Sequence, residues 1–149
     1  MVRLMSDIGA IAIWAVFVGA CLSDTFAYFC GTLFGKHKLA PSISPKKTVE
    51  GSVGAILGTI LSFLVYGLVI VLATDLKVNF ILIMLLGFVC SVFAQFGDLS
   101  ASVIKRECQI KDFGSLFPGH GGLMDRLDSI LFVAPVVYYL LKMLPVITV

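Results

Sequence analysis

The chain has 149 residues, 59% of them hydrophobic and only 13% charged, with a net charge of +2 and a mean hydropathy of +1.05. That balance excludes a soluble globular domain, which needs far more polar surface, and places the chain among integral membrane proteins. The period-two alternation of membrane β-strands is missing, which leaves an all-α fold: a polytopic bundle of about four transmembrane helices, forming a single domain over residues 1–149.

Four apolar runs, roughly residues 8–34, 52–73, 78–96 and 129–144, approach the ~20 residues a helix needs to cross the hydrocarbon core. The first is too long for one upright crossing, so it is expected to tilt, break or re-enter. Residues 18–21 loosely resemble a lipoprotein cleavage site, but Met1–Asp7 has no net charge and the residues after Cys21 stay hydrophobic, so no signal peptide is expected. The run closes on SDTFAYFCGTLFGKHKL. Asp24 lies 12 residues before Lys36, or ~18 Å deep at ~1.5 Å per helical residue, where an acid faces a cation, a metal or a water-filled cavity. Gly31 and Gly35 are read as close-packing or helix-end positions. GTLFGK is one residue short of a P-loop and has His37 where a hydroxyl residue belongs.

The loop over residues 36–50 carries Lys36, Lys38, Lys46 and Lys47 against Glu50 alone, and the positive-inside rule makes it cytoplasmic. Pro41 and Pro45 exclude a regular helix there and hold the segment extended. Thr48 is the expected start of the second helix. Two readings of this loop stand side by side. In one, Ser44, Lys46, Lys47, Thr48 and Glu50 form a nucleotide site, with lysines, hydroxyls and free helix-start NH groups cradling an oligophosphate. In the other, the lysines are a juxtamembrane patch touching anionic lipid.

The second run has Gly51, Gly54 and Gly58 for packing and ends in the short, balanced connector 75–77. The third is apolar until Gln95, Gly97 and Asp98. Two crossings return the chain to its starting side, so residues 97–128 are cytoplasmic too and both polar loops face each other.

Residues 97–128 hold nine charged side chains and a histidine between two apolar runs. On a helix continuing past Gly97, Asp98, Ser102 and Lys105 share one face and Arg106 lies just off it. Asp125 and Asp128, at i and i+3, share a face at the start of the last run. Carboxylates from two helices suit a hard cation, so Asp98, Asp125 and Asp128 are the expected Mg2+ ligands. Zinc is not expected, since His37 and His120 are far apart and Cys21, Cys30, Cys90 and Cys108 show no CxxC spacing. The PGHGG segment lets backbone approach a ligand, with His120 in its middle; Lys111 and Asp112 read equally well as a solvated pair. Together these groups point to phosphate chemistry with a divalent metal.

The pattern S-x-x-K-R-x(4)-K-D-x-G-x(2)-F-P-G-H-G-G-x-x-D-R-x-D, from Ser102 to Asp128, resembles the signature of phosphatidate cytidylyltransferases. ISPKKTVEG and SDTFAYFCGTLFGKHKL are similar to that family's upstream segments. The resemblance implies a membrane transferase that joins CTP and phosphatidic acid into CDP-diacylglycerol in phospholipid biosynthesis, releasing pyrophosphate. It implies Asp98, Ser102, Lys105, Arg106, Lys111, Asp112, His120, Asp125 and Asp128 as catalytic residues. It also implies a multi-pass protein of the cell membrane with a cytoplasmic site, bilayer and lipid substrate as partners, no nucleic acid, and a homodimer as a compatible assembly. Family members carry further membrane helices before the segment equivalent to residues 8–34, so this chain corresponds to their C-terminal catalytic part. Two alternatives remain: a CTP-dependent polyprenol kinase-like transferase, and an inactive fragment or cation-path protein with Asp24 and Asp98 along its path.

Overall fold

The structure, a computed structural model, describes residues 2–41, 43–74, 76–110, 113 and 124–148. Helix α1 (Val2–Phe34) is continuous, so the expected break or re-entry does not occur. Its 33 residues span about 50 Å, more than the ~30 Å hydrocarbon core, so it suits a tilted or protruding crossing.

The polar loop that follows folds into a hairpin. Strand β1 (Lys38–Ala40) pairs antiparallel with β2 (Ser44–Thr48), Lys38 opposite Thr48 and Ala40 opposite Ser44, with a register irregularity between. The expectation of an extended segment holds, and the pairing is new. Pro45 cannot donate to a ladder, which a two-stranded hairpin tolerates because both strands are edges. The His37 backbone NH and ring Nδ1 both meet the Glu50 carboxylate, the ring at 2.6 Å, and so does the Lys36 NH at 3.1 Å.

Helix α2 (Val49–Ala73) starts where the hydroxyl of Thr48 accepts a 3.2 Å hydrogen bond from the Gly51 NH, the N-cap expected of that residue. Strand β3 (Lys77–Val78) leads into α3 (Phe80–Glu107), capped by Asn79 accepting from the NH groups of Ile81 and Leu82. As expected, α3 runs well past Gly97. It ends on Lys105 and Arg106, cations favoured by the helix C-terminus, and Gln109 then turns out at φ 56°. Helix α4 (Met124–Met143) leads to β4 (Ile147–Thr148), which pairs antiparallel with β3.

That last pairing fixes the parity of the bundle. The α2–α3 connector and the end of α4 lie together at one end, so the hairpin, the end of α3 and the start of α4 share the other. The two polar segments therefore do meet. Small residues allow the approach of α1 and α2: a Cβ on Gly51 would lie 2.7 Å from the Ala27 carbonyl oxygen and 3.0 Å from the Gly31 Cα. Gly97 does the same for α3 and α4, where a Cβ would meet the Asp128 carbonyl oxygen at 2.8 Å.

Phe63, Ile83, Cys90, Val133 and Val137 fill the core. Large apolar side chains such as Trp14, Leu57, Leu72 and Ile81 point outward, as lipid-facing surfaces do. Helices α1, α2 and α3 are each long and apolar enough to cross a membrane, and α4 completes the bundle beside them.

Candidate functional site

A cavity of about 240 Å³ opens at the shared polar end, between α1, the hairpin, α2 and α3. Its polar wall comes from Asp24 of α1, Ser44, Lys46, Lys47 and Thr48 of β2, Ser52 of α2, and Gln95 and Asp98 of α3. Ala27, Tyr28 and Leu39 supply an apolar side. Each polar residue arrives there for a local reason. The irregular hairpin register precedes an N-cap, so β2 delivers its lysines directly above the first turn of α2. On α3, Gln95 and Asp98 stand three residues apart and share a face.

Lys47 Nζ lies 2.5 Å from Asp98 Oδ2, with the two side chains 22% and 34% exposed. The ammonium itself is enclosed, and among the described residues no acceptor lies in hydrogen-bonding alignment with it. Asp24, Asp98 and Asp128, from three different helices, stand within electrostatic reach of one another, with Lys47 and Lys105 nearby. Ser129 joins two of these acids: its hydroxyl donates to Asp24 Oδ2 at 2.9 Å, and its backbone NH donates to Asp128 Oδ1 at 2.7 Å. The three acids together form an all-oxygen donor set, of the kind that suits a hard cation such as Mg2+. Among the described residues no three His, Cys, Asp or Glu side chains already stand at common metal-binding distance.

The residues expected from the sequence separate into groups. Ser44, Lys46, Lys47, Thr48 and Asp98 line the cavity together. Glu50 does not, because its carboxylate is occupied by the backbone and ring of the turn at His37. Asp128 is 8% exposed and close to Asp98. Ser102 and Lys105 continue the α3 face, with the Lys105 ammonium 5.4 Å from the Phe113 ring centre. Arg106 Nε donates to the Ile43 carbonyl at 3.2 Å, tying the end of α3 to the hairpin. Lys111, Asp112 and His120 lie outside the described residues, as do the side chains of Asp125 and Arg126.

Sequence reasoning misses Gln95, Ser52, Ser129, Ser23 and Ser91. A usable signal exists for Gln95, the one amide in α3, one turn before Asp98 in a run otherwise apolar. The serines carry none, since isolated hydroxyls are common in membrane helices.

Residues 2–144 match the model of the cytidylyltransferase family. The chain is 49% identical over 120 residues to a phosphatidate cytidylyltransferase of Staphylococcus epidermidis, covering 80% of this chain and 45% of that protein. It is 42% identical over 142 residues to the protein of the same name from Bacillus subtilis, covering 95% and 51%. For the one from Thermotoga maritima the figures are 37% over 140 residues, covering 93% and 52%. The chain thus spans about half the length of the curated relatives it matches.

Proposed function

Because this chain belongs to the cytidylyltransferase family, we propose that it carries the catalytic region of a phosphatidate cytidylyltransferase. In this reading a phosphate oxygen of phosphatidic acid attacks the α-phosphorus of CTP. The bond between the α-phosphorus and its bridging oxygen breaks, CDP-diacylglycerol forms and pyrophosphate leaves. The observation that supports the reading is the meeting of Lys47 and Asp98, a lysine and a carboxylate from separate elements, on the wall of one cavity at the polar end of the bundle.

The attacking group is a phosphate monoester, already anionic at neutral pH, so a strong general base is unnecessary. The difficulty is repulsion between two anions, and cations in a site partly shielded from water address it. Lys46 and Lys47, with the hydroxyls of Ser44 and Thr48, hold the CTP phosphates. Thr48 accepts from Gly51 NH and keeps its own hydrogen to donate. Lys105, Arg106 and Lys111 hold the phosphatidate head group, with Asp112 and His120 proposed as further catalytic residues. Asp98, Asp125 and Asp128 would hold Mg2+, which when bound neutralises charge on the leaving pyrophosphate. Asp24 closes the cavity from the membrane side. The polar end faces the cytoplasm at the cell membrane and α4 is the fourth crossing, so CTP arrives from water while the lipid enters sideways past the exposed Asp24–Tyr28 edge of α1.

The test supplies membranes containing the protein with labelled CTP and phosphatidic acid, with and without Mg2+. Labelled CDP-diacylglycerol and pyrophosphate should form only when lipid and metal are both present. Pyrophosphate release without phosphatidic acid, or phosphorylation of an added polyprenol instead, overturns the reading.

A further inference from the structure

A continuous hydrogen-bonded chain runs through the interior beneath the cavity. The Ser52 hydroxyl of α2 donates to Gln95 Oε1 of α3. Gln95 Nε2 donates back to the Ser52 carbonyl at 3.3 Å and on to the Ser91 hydroxyl at 3.3 Å. The Ser91 and Ser23 hydroxyls meet at 3.0 Å, both residues fully buried, which reaches α1. Three of its four members sit beside a residue of the site. Ser52 is one turn beyond Thr48, Gln95 one turn before Asp98, and Ser23 next to Asp24.

We propose that Gln95 is a positioning residue for the nucleotide and metal site, and that the Ser52–Gln95–Ser91–Ser23 chain sets the register of the three helices bearing Lys47, Asp98 and Asp24. The physical reason is the scarcity of directional forces between helices in lipid. Apolar side chains pack almost equally well against neighbours at several registers, whereas an amide or hydroxyl left unpaired there is costly. Sliding α3 by one residue, ~1.5 Å, breaks both Gln95 contacts to α2 and separates Asp98 from Lys47. Gln95 has no free hydrogen left for a substrate: both amide hydrogens are taken by Ser52 and Ser91. Its action on the reaction is therefore through Asp98 and Lys47.

The inference rests on the proposed function, and the test separates the two. Gln95→Leu keeps the volume and removes the bonds; Ser91→Ala is milder, leaving the Ser52–Gln95 pair intact; Ser91→Thr restores the hydroxyl. Each purified, monodisperse variant is assayed for kcat, for the KM of phosphatidic acid and for half-saturating Mg2+. Mn2+ binding is followed by electron paramagnetic resonance in the presence of CTP. Gln95→Leu should lower kcat about 10–100-fold and weaken Mn2+ binding, with the phosphatidate KM little changed. Ser91→Ala should follow in the same direction, and Ser91→Thr should recover it. Should Gln95→Leu not fold, Ser91→Ala decides on the same readouts. Folded variants with parental kcat and Mn2+ binding, or losses that track only the yield of folded protein, overturn the assignment. A parent protein that turns over no CTP defeats the proposed function instead, while the Mn2+ comparison still decides the role of Gln95.

Discussion

The Lys47 ammonium meets the Asp98 carboxylate at 2.5 Å although 51 positions separate them and two different elements carry them. The contact pins the hairpin onto α3 and brings the cation proposed for phosphate against the acid proposed for metal. The Lys47 ammonium is enclosed while the two side chains keep 22% and 34% of their surface exposed, so under the proposed function each partner would exchange one opposite charge for another on binding nucleotide and cation.

Removing the cation should be felt first at the nucleotide. Lys47→Ala should raise the KM for CTP or lower kcat/KM by about 10–100-fold, the scale of one charge-assisted phosphate contact. A CTP titration identical to the parent's returns Lys47 to the lipid-patch reading.

Acid-to-amide changes probe the metal. Asp128→Asn and Asp125→Asn should each cut CDP-diacylglycerol formation by at least about 100-fold while protein still reaches the membrane folded. Chelation with EDTA should do the same to the parent, reversibly on adding Mg2+. Near-parental turnover in either variant removes that residue from the metal assignment.

The seam of α1 and α2 should be intolerant of bulk. Gly51→Val places carbon against the Ala27 carbonyl and the Gly31 backbone, and overpacking of this kind costs about 1–3 kcal/mol. The readout is the melting midpoint of detergent-purified protein, which should fall. An unchanged midpoint means the helices separate there at little cost.

Sidedness can be read with a membrane-impermeant thiol reagent. Cys108, exposed just past the end of α3, and Lys38→Cys in the hairpin should label from the same face, and Lys77→Cys from the opposite one, each as a single cysteine. Labelling of Cys108 and Lys38→Cys from opposite faces dissolves the shared site.

Much of the bundle is legible in the amino-acid order. The apolar runs locate the helices because lipid allows few alternatives to an α-helix, and the lysines around the first loop predict which segments share a side. Thr48 is legible as a helix start because a hydroxyl before a glycine-containing turn satisfies an orphan NH. The unbroken course of α1 is not, since length alone does not distinguish a tilted helix from a broken one. The β3–β4 pairing is equally hidden, two residues a side being too short to leave a pattern.

The site divides in the same way. Charge in or beside an apolar run marks Asp24, Asp98 and Asp128, because burying charge is costly enough that each instance needs a reason, whereas Lys47 stands in a basic loop that reads equally well as a lipid patch. Glu50 looks the same in sequence yet clamps the turn at His37, since a carboxylate's role depends on which donors the backbone path brings to it.

What the amino-acid order determined by itself was therefore the apolar character of the chain and its helices, both of which follow from composition and local spacing. Which groups touch was decided only by packing. The Lys47–Asp98 contact, the Ser129 bridge to Asp24 and the Gln95 chain all join different elements of the bundle. Their partners are brought together by how closely the glycines let the helices approach and by contacts between helices, which no single segment contains.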